Sequence, residues 1–155
     1  MDFLSELRDI GLITLACLLG GAVGLERESD GKPAGFRTHM IISGAASLLV
    51  VCGKWLVIDE IFAGPEGSLR YDPIRIIEAV IVGVSFIGAG TILKISNNDH
   101  GARVKYLTTA ASLLFSAGIG ICVALERFVI AIGMTVLILV INGVFGRWEE
   151  KHLND

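Results

Sequence analysis

Charge is scarce in this chain. Only 19% of its 155 residues are Asp, Glu, Lys or Arg, against about a quarter in an ordinary soluble domain. The formal net charge is -3 and the pI is near 5.6, which removes the basic face that a nucleic-acid partner needs. Cysteine is equally rare: Cys17, Cys52 and Cys122 all fall inside apolar stretches. No two have metal-ligand spacing, so they predict neither a disulfide nor a zinc site. Proline occurs at only Pro33, Pro65 and Pro73, each outside a long apolar run or at its start, where breaking a helix costs least. The N-terminus lacks the basic start of a cleavable signal peptide, carrying Asp2, Glu6 and Asp9 instead. The first apolar run is therefore expected to be retained. No P-loop, nucleophile elbow or HExxH motif is present, and nothing in the sequence points to an enzyme.

What the chain has in abundance is apolar sequence, 53% of residues with a mean hydropathy of +0.69. A bilayer demands about 20 mostly apolar residues per helix. Five stretches qualify, at about 9–26, 39–58, 74–94, 107–125 and 128–146. Turn-forming segments separate them, including GPEG at 64–67 and SNNDHG at 96–101. No alternating pattern of about ten residues suggests a β-barrel. The expected fold is all-α, a polytopic transmembrane helical bundle over 1–147, with 148–155 as a short cytoplasmic tail.

Lys and Arg set the expected orientation. One side holds Arg27, Lys32, Arg37, Lys94, Arg103, Lys105, Arg147 and Lys151; the other holds Arg8, Lys54, Arg70, Arg75 and Arg127. The richer side is expected to be cytoplasmic, with the N-terminus outside and the C-terminus inside. Trp55 and Tyr71 then lie at the outer boundary, Tyr106 and Trp148 at the inner one. The outer side carries nine acids against five bases, a balance that would concentrate cations or that follows from the exclusion of bases alone.

Small residues recur at helical spacing, as close helix contact in lipid requires. Ala16, Gly20 and Gly24 mark span one; Ser43 and Ser47, span two; Gly83, Ser85, Gly88, Ala89 and Gly90, span three. Span four carries Thr108, Ser112, Ser116, Gly120 and Ala124. These stripes fit either internal packing of spans one to four, with span five facing lipid, or a homodimer face. SGAASLL at 43–49 and TTAASLL at 108–114 also suggest a parallel repeat of two helical hairpins.

Two segments carry the candidate chemistry. The first, LERESDGKPAGFRTHM at 25–40, crowds Glu26, Arg27, Glu28, Asp30, Lys32, Arg37 and His39 between two spans. Arg27 and Arg37 could clamp an anionic group, or pair with Glu26 and Glu28 to fix the loop. The second, YDPIRIIEAV at 71–80, puts Asp72 before Pro73, a good helix start. Glu78 lies roughly 6 Å inside span three. Lys54 sits at similar depth in span two, so Glu78 fits a pair with Lys54, a weak divalent-cation site shared with Asp72, or a snorkelling side chain. His39, His100 and His152 are not spaced as metal ligands and are expected to be solvated at the cytoplasmic edge.

GGAVGLERESDGKPAGFRTH at 20–39 resembles the signature of the MgtC/SapB family of bacterial membrane proteins. DPIRIIEAVIVGVSFIGAGTIL at 72–93 and LTTAASLLFSAGIGICVAL at 107–125 resemble its next two motifs, in the same order. The family motif maps onto Glu26, Arg27, Gly31, Pro33, Gly35, Arg37 and Thr38, then Asp72, Pro73, Arg75, Gly83, Phe86, Gly88, Ala89 and Gly90, then Leu107 to Ala110. The resemblance implies a bacterial inner-membrane protein linked to magnesium homeostasis, to growth in low magnesium and, in pathogens, to survival in the host. Two departures stand out. Many members carry a small soluble domain after the last span, expected to be absent here, and many carry Gln where this chain has Ala79, which here follows Glu78.

The leading expectation is a protein that modulates another membrane system, with Glu26, Arg27, Gly31, Pro33, Gly35, Arg37, Thr38 and Arg75 as its interaction or anion-binding residues. One rival is a Mg2+ transporter or channel using Asp72 and Glu78, with Mg2+ weakly bound and no other cofactor. Another is a structural or lipid-organising protein. The partners expected are membrane lipids, a membrane protein or a second copy of the chain, and no nucleic acid.

Overall fold

The computed structural model describes residues 3–58, 73–97 and 101–145. Five helices carry the fold: α1 Phe3–Ser29, α2 Phe36–Ile58, α3 Pro73–Thr91, α4 Leu107–Ala124 and α5 Phe128–Val140. A π-helical turn, Ile141–Phe145, continues α5. α1 to α4 are each long and apolar enough to cross a membrane; the apolar stretch of α5, Phe128–Val144, is shorter. The all-α reading and its five helices therefore hold.

One difference falls at the end of span three. The apolar run was expected to continue as helix to residue 94, but α3 stops at Thr91, whose hydroxyl donates to the Gly88 carbonyl. Beyond it, β1 Leu93–Asn97 and β2 Gly101–Lys105 pair antiparallel, Leu93 opposite Lys105 and Asn97 opposite Gly101. A hairpin satisfies backbone groups that a bare loop would leave to solvent. Tyr106, at φ 70, turns the chain from β2 into α4.

The tight core consists of α1, α2 and α4, and glycine explains how closely they approach. A Cβ on Gly20 would lie 2.5 Å from Ser43 Cβ, and one on Gly120 only 2.0 Å from the Ser43 carbonyl oxygen. α2 is thus gripped at Ser43 from both sides. α1 and α2 run antiparallel, with Gly24 against Phe36 and Asp9 bonded to Trp55. α2 and α4 run parallel, with His39 beside Ser116 and Lys54 beside Ala124.

α3 does not belong to this tight core. Of its small residues only Gly88 meets a neighbour, Ala110 of α4; Gly83 and Gly90 face open space, and Ser85 and Ala89 are exposed. Its contact is made by Val80 and Val84, with Ile76 and Ile77, against Val50, Val51, Leu113 and Ala117. α5 lies outside the core, as expected, but buries Ala131, Thr135 and Ile138 at one-turn spacing. Ile138, within a bulky run that looks lipid-facing throughout, therefore packs against the α1–α4 cluster.

Candidate functional site

The connection from Glu26 to Thr38 is built by backbone geometry first. At the end of α1 the Lys32 amide donates to the Arg27 carbonyl and the Gly31 amide to the Glu28 carbonyl, both at 3.0 Å. This is a Schellman closure, and Gly31 occupies its left-handed position at φ +64. Glu28 then turns back across the loop, its carboxylate accepting from the Phe36 amide at 2.8 Å. The carboxylate thereby caps α2, favoured by the partial positive charge at a helix N-terminus. A Cβ on Gly35 would lie 2.6 Å from that carboxylate oxygen. Gly31 and Gly35 are therefore fixed by the turn and the cap.

Arg27 is 3% exposed. Its Nε and Nη2 donate to the two carboxylate oxygens of Glu26, and Nη2 also reaches Asp30 at 3.4 Å. Asn142, from the π-helical turn after α5, donates to Glu26 Oε2 at 3.1 Å. A buried guanidinium is tolerated because it is paired, and removing one partner of such a pair typically costs about 3–5 kcal/mol. Of the two readings of Arg27, anion clamp and internal ion pair, the geometry supports the second.

Arg37 and Thr38 are placed differently. Together with Glu28, Gly35 and Phe36 they line a cleft of about 550 Å³ at the start of α2. Arg37 is exposed and makes no hydrogen bond or ion pair among the described residues. Pro33 is exposed in the turn beside it. Arg75 is exposed on the first turn of α3, at the opposite end of the bundle, and does not join this group.

At that opposite end Lys54 turns away from Glu78. Its ammonium donates to the Ala124 carbonyl and lies 3.9 Å from Glu126. Glu126 also pairs with Arg8, and Asp9 accepts from the Trp55 indole at 2.8 Å. Glu78 is exposed on α3, so of its three readings the pair with Lys54 is not formed. Asp72, its companion in the metal reading, lies outside the described residues. Among the described residues no three His, Cys, Asp or Glu side chains converge to hold a metal ion.

His39 overturns a sequence expectation. Expected to be solvated, it is fully buried between the three core helices. Its Nδ1 lies 2.7 Å from Ser116 Oγ. Its Nε2, and the hydroxyls of Ser43 and Ser47 one and two turns further along α2, are buried and meet no hydrogen-bond partner among the described residues, although the Ala34 backbone lies against the ring. An unmet buried polar group costs about 1–3 kcal/mol. The signal was present in the sequence: His39, Ser43 and Ser47 repeat every four residues, one stripe of a helix. Asn142 was also missed, because no local pattern connects it to Glu26.

The model of the MgtC family matches residues 13–151. YhiD of Escherichia coli (strain K12), whose name describes a proposed magnesium transporter, is 36% identical over 142 residues, 92% of this chain and 62% of that protein. An uncharacterized protein of Haemophilus influenzae is 37% identical over 140 residues, 88% of this chain and 56% of its own length. MgtC of Salmonella typhimurium (strain LT2) is 32% identical over 127 residues, 82% of this chain and 48% of that protein. The chain thus spans roughly half to three-fifths of the length of these relatives. No solved structure matches it.

Proposed function

The chain is a multi-pass membrane protein that belongs to the MgtC family, and from that premise we propose that it serves magnesium homeostasis and stress adaptation by modulating another membrane system. The cleft at the start of α2 is its interaction surface, with Arg37 and Thr38 as the contacting residues. The observation that carries this reading is the division of labour within one loop. Glu26, Arg27 and Glu28 are consumed internally, as an ion pair held by Asn142 and as a helix cap. Arg37 is left exposed on a rigid frame, and a preformed surface binds without a large ordering cost. We place the protein in the bacterial inner membrane with this cleft on the cytoplasmic side, following the distribution of Lys and Arg.

Photo-crosslinking in native membranes tests this reading. A crosslinker at Thr38 should give a discrete protein adduct, and Arg37→Ala should weaken it at least severalfold while the same crosslinker at Val129, exposed on α5, gives none. Lipid adducts alone at Thr38 would overturn it.

A second reading, transport of a divalent cation, is supported by the name of the Escherichia coli relative. Its residues would be Glu78 with Asp72, whose carboxylates suit a magnesium ion that keeps most of its water.

A further inference from the structure

We propose that His39, with Ser116, Ser43 and Ser47, forms an intramembrane proton-binding site near the Glu26–Thr38 end of the bundle.

The first observation is an excess of polarity where packing does not ask for it. At their closest approaches to α2, α1 and α4 use Gly20, Gly24 and Gly120, which bring backbones together with no polar atom in the side chain, while Ser116 of α4 meets His39. On the same contact α2 carries an imidazole and two hydroxyls, each fully buried. The imidazole Nε2 and both hydroxyl oxygens meet no hydrogen-bond partner among the described residues. Alanine would fill the serine positions equally well, so the stripe carries three polar groups that close packing does not use.

The second observation is the lack of room. A Cβ on Gly24 would lie 3.0 Å from His39 Cβ, and one on Gly20 2.6 Å from the His39 carbonyl oxygen. A hydrated cation does not enter such a seam; a proton does. From His39 to Ser47 the stripe spans about 12 Å of helix. One turn beyond Ser47 the stripe continues as Val51, fully buried. At the other end His39 lies one turn from Gly35 and the cleft.

The chemistry is simple. With Nδ1–H donating to Ser116 Oγ, the Nε2 lone pair accepts a proton from hydronium. An N–H bond forms, an O–H bond breaks and water leaves; the Ser43 and Ser47 hydroxyls, buried on the same stripe but not hydrogen-bonded to Nε2, set the polarity of the seam around it. The charges that act on the ring belong to Arg27 and Glu26 of α1, with Asp30 just beyond them. α4 presents no charged side chain between Leu107 and Ala124, its only thiol being Cys122, and α5 none between Phe128 and Val140. α3, against the far part of α2, contributes only Arg75 and Glu78, both at its opposite end. Arg37 and Lys54 are the other charges on α2 itself.

The test is nitrogen NMR of histidine-labelled full chain in lipid nanodiscs, with His100→Gln and His152→Gln isolating the His39 signals. The proposal expects a reversible change of the Nε2 signal from lone-pair to protonated type as pH falls within the range where the fold persists. Potentiometric titration should show uptake of about one proton per chain more than in His39→Gln. Ser43→Ala with Ser47→Ala should shift the His39 midpoint while leaving thermal stability unchanged or raised, because two unmet hydroxyls are removed without adding volume. A His39 signal fixed at every pH at which the chain stays folded would overturn the proposal. So would a midpoint untouched by the double serine change, which would make the stripe packing alone.

Discussion

Glu126 occupies a backbone position that glycine ordinarily fills. Its φ is 59, and the Glu126 and Arg127 amides close α4 on the Val123 and Cys122 carbonyls at 2.8 and 2.9 Å. This is the closure that Gly31 makes on α1. A side chain in that conformation costs roughly 1–2 kcal/mol, and the pairing of Glu126 with Arg8 and Lys54 offsets part of it. Both members of the Arg8 pair are more than a third exposed, so its worth is at most about 1 kcal/mol. The two effects can be separated. Glu126→Ala keeps the strain and loses the pair, and should lower stability by up to about 1 kcal/mol. Glu126→Gly loses the pair but releases the strain, and should be neutral or stabilising, about 1 kcal/mol above the alanine variant. Thermal melts in detergent would check the order, and alanine equal to glycine would contradict it. The closure at Gly31 was legible because glycine announces it. The one at Glu126 was not, because glutamate carries no such signal and its partners lie far away in sequence.

Small residues at one-turn spacing show that a helix is able to pack closely, and not that it does. α3 and α4 look alike by that measure, yet Gly120 is pressed against the Ser43 backbone while Gly83 faces open space. Gly120→Ala should therefore force α2 and α4 apart and lower stability by about 1–3 kcal/mol, the usual range for overpacking. Gly83→Ala should be tolerated, and even favoured by up to about 1 kcal/mol through helix propensity. Equal melting temperatures for the two variants would remove the three-helix core from this account. The spans themselves were legible because apolar length alone decides them. The hairpin after α3 was not, since a short turn-rich segment reads equally as loop or hairpin. The burial of His39 was missed for a related reason. A histidine near the end of an apolar run suggests the membrane edge, and the approach of Gly24 that encloses it depends on tertiary packing.

At the scale of the whole molecule, the two ends of the bundle differ in how their charges are used. One end knits Arg8, Asp9, Lys54, Trp55 and Glu126 into contacts among α1, α2 and the α4–α5 turn. The other locks Glu26, Arg27 and Asn142 together but leaves Arg37 exposed beside the cleft. The proposed orientation puts that second end in the cytoplasm, so a reporter fused after Asp155 should be active only if its chemistry works there. A periplasm-only reporter active at that position would reverse the orientation. The internal pairing of Lys54 and Glu126 also bears on function, because it leaves Glu78 as the exposed carboxylate of the described part of α3.

Magnesium flux into liposomes holding the purified protein therefore separates modulation of another system from transport by this chain. Uptake should be no greater than in protein-free liposomes, with Glu78→Gln indistinguishable from the parent chain. Uptake that scales with protein and is lost in Glu78→Gln would contradict it and establish the protein as a transporter.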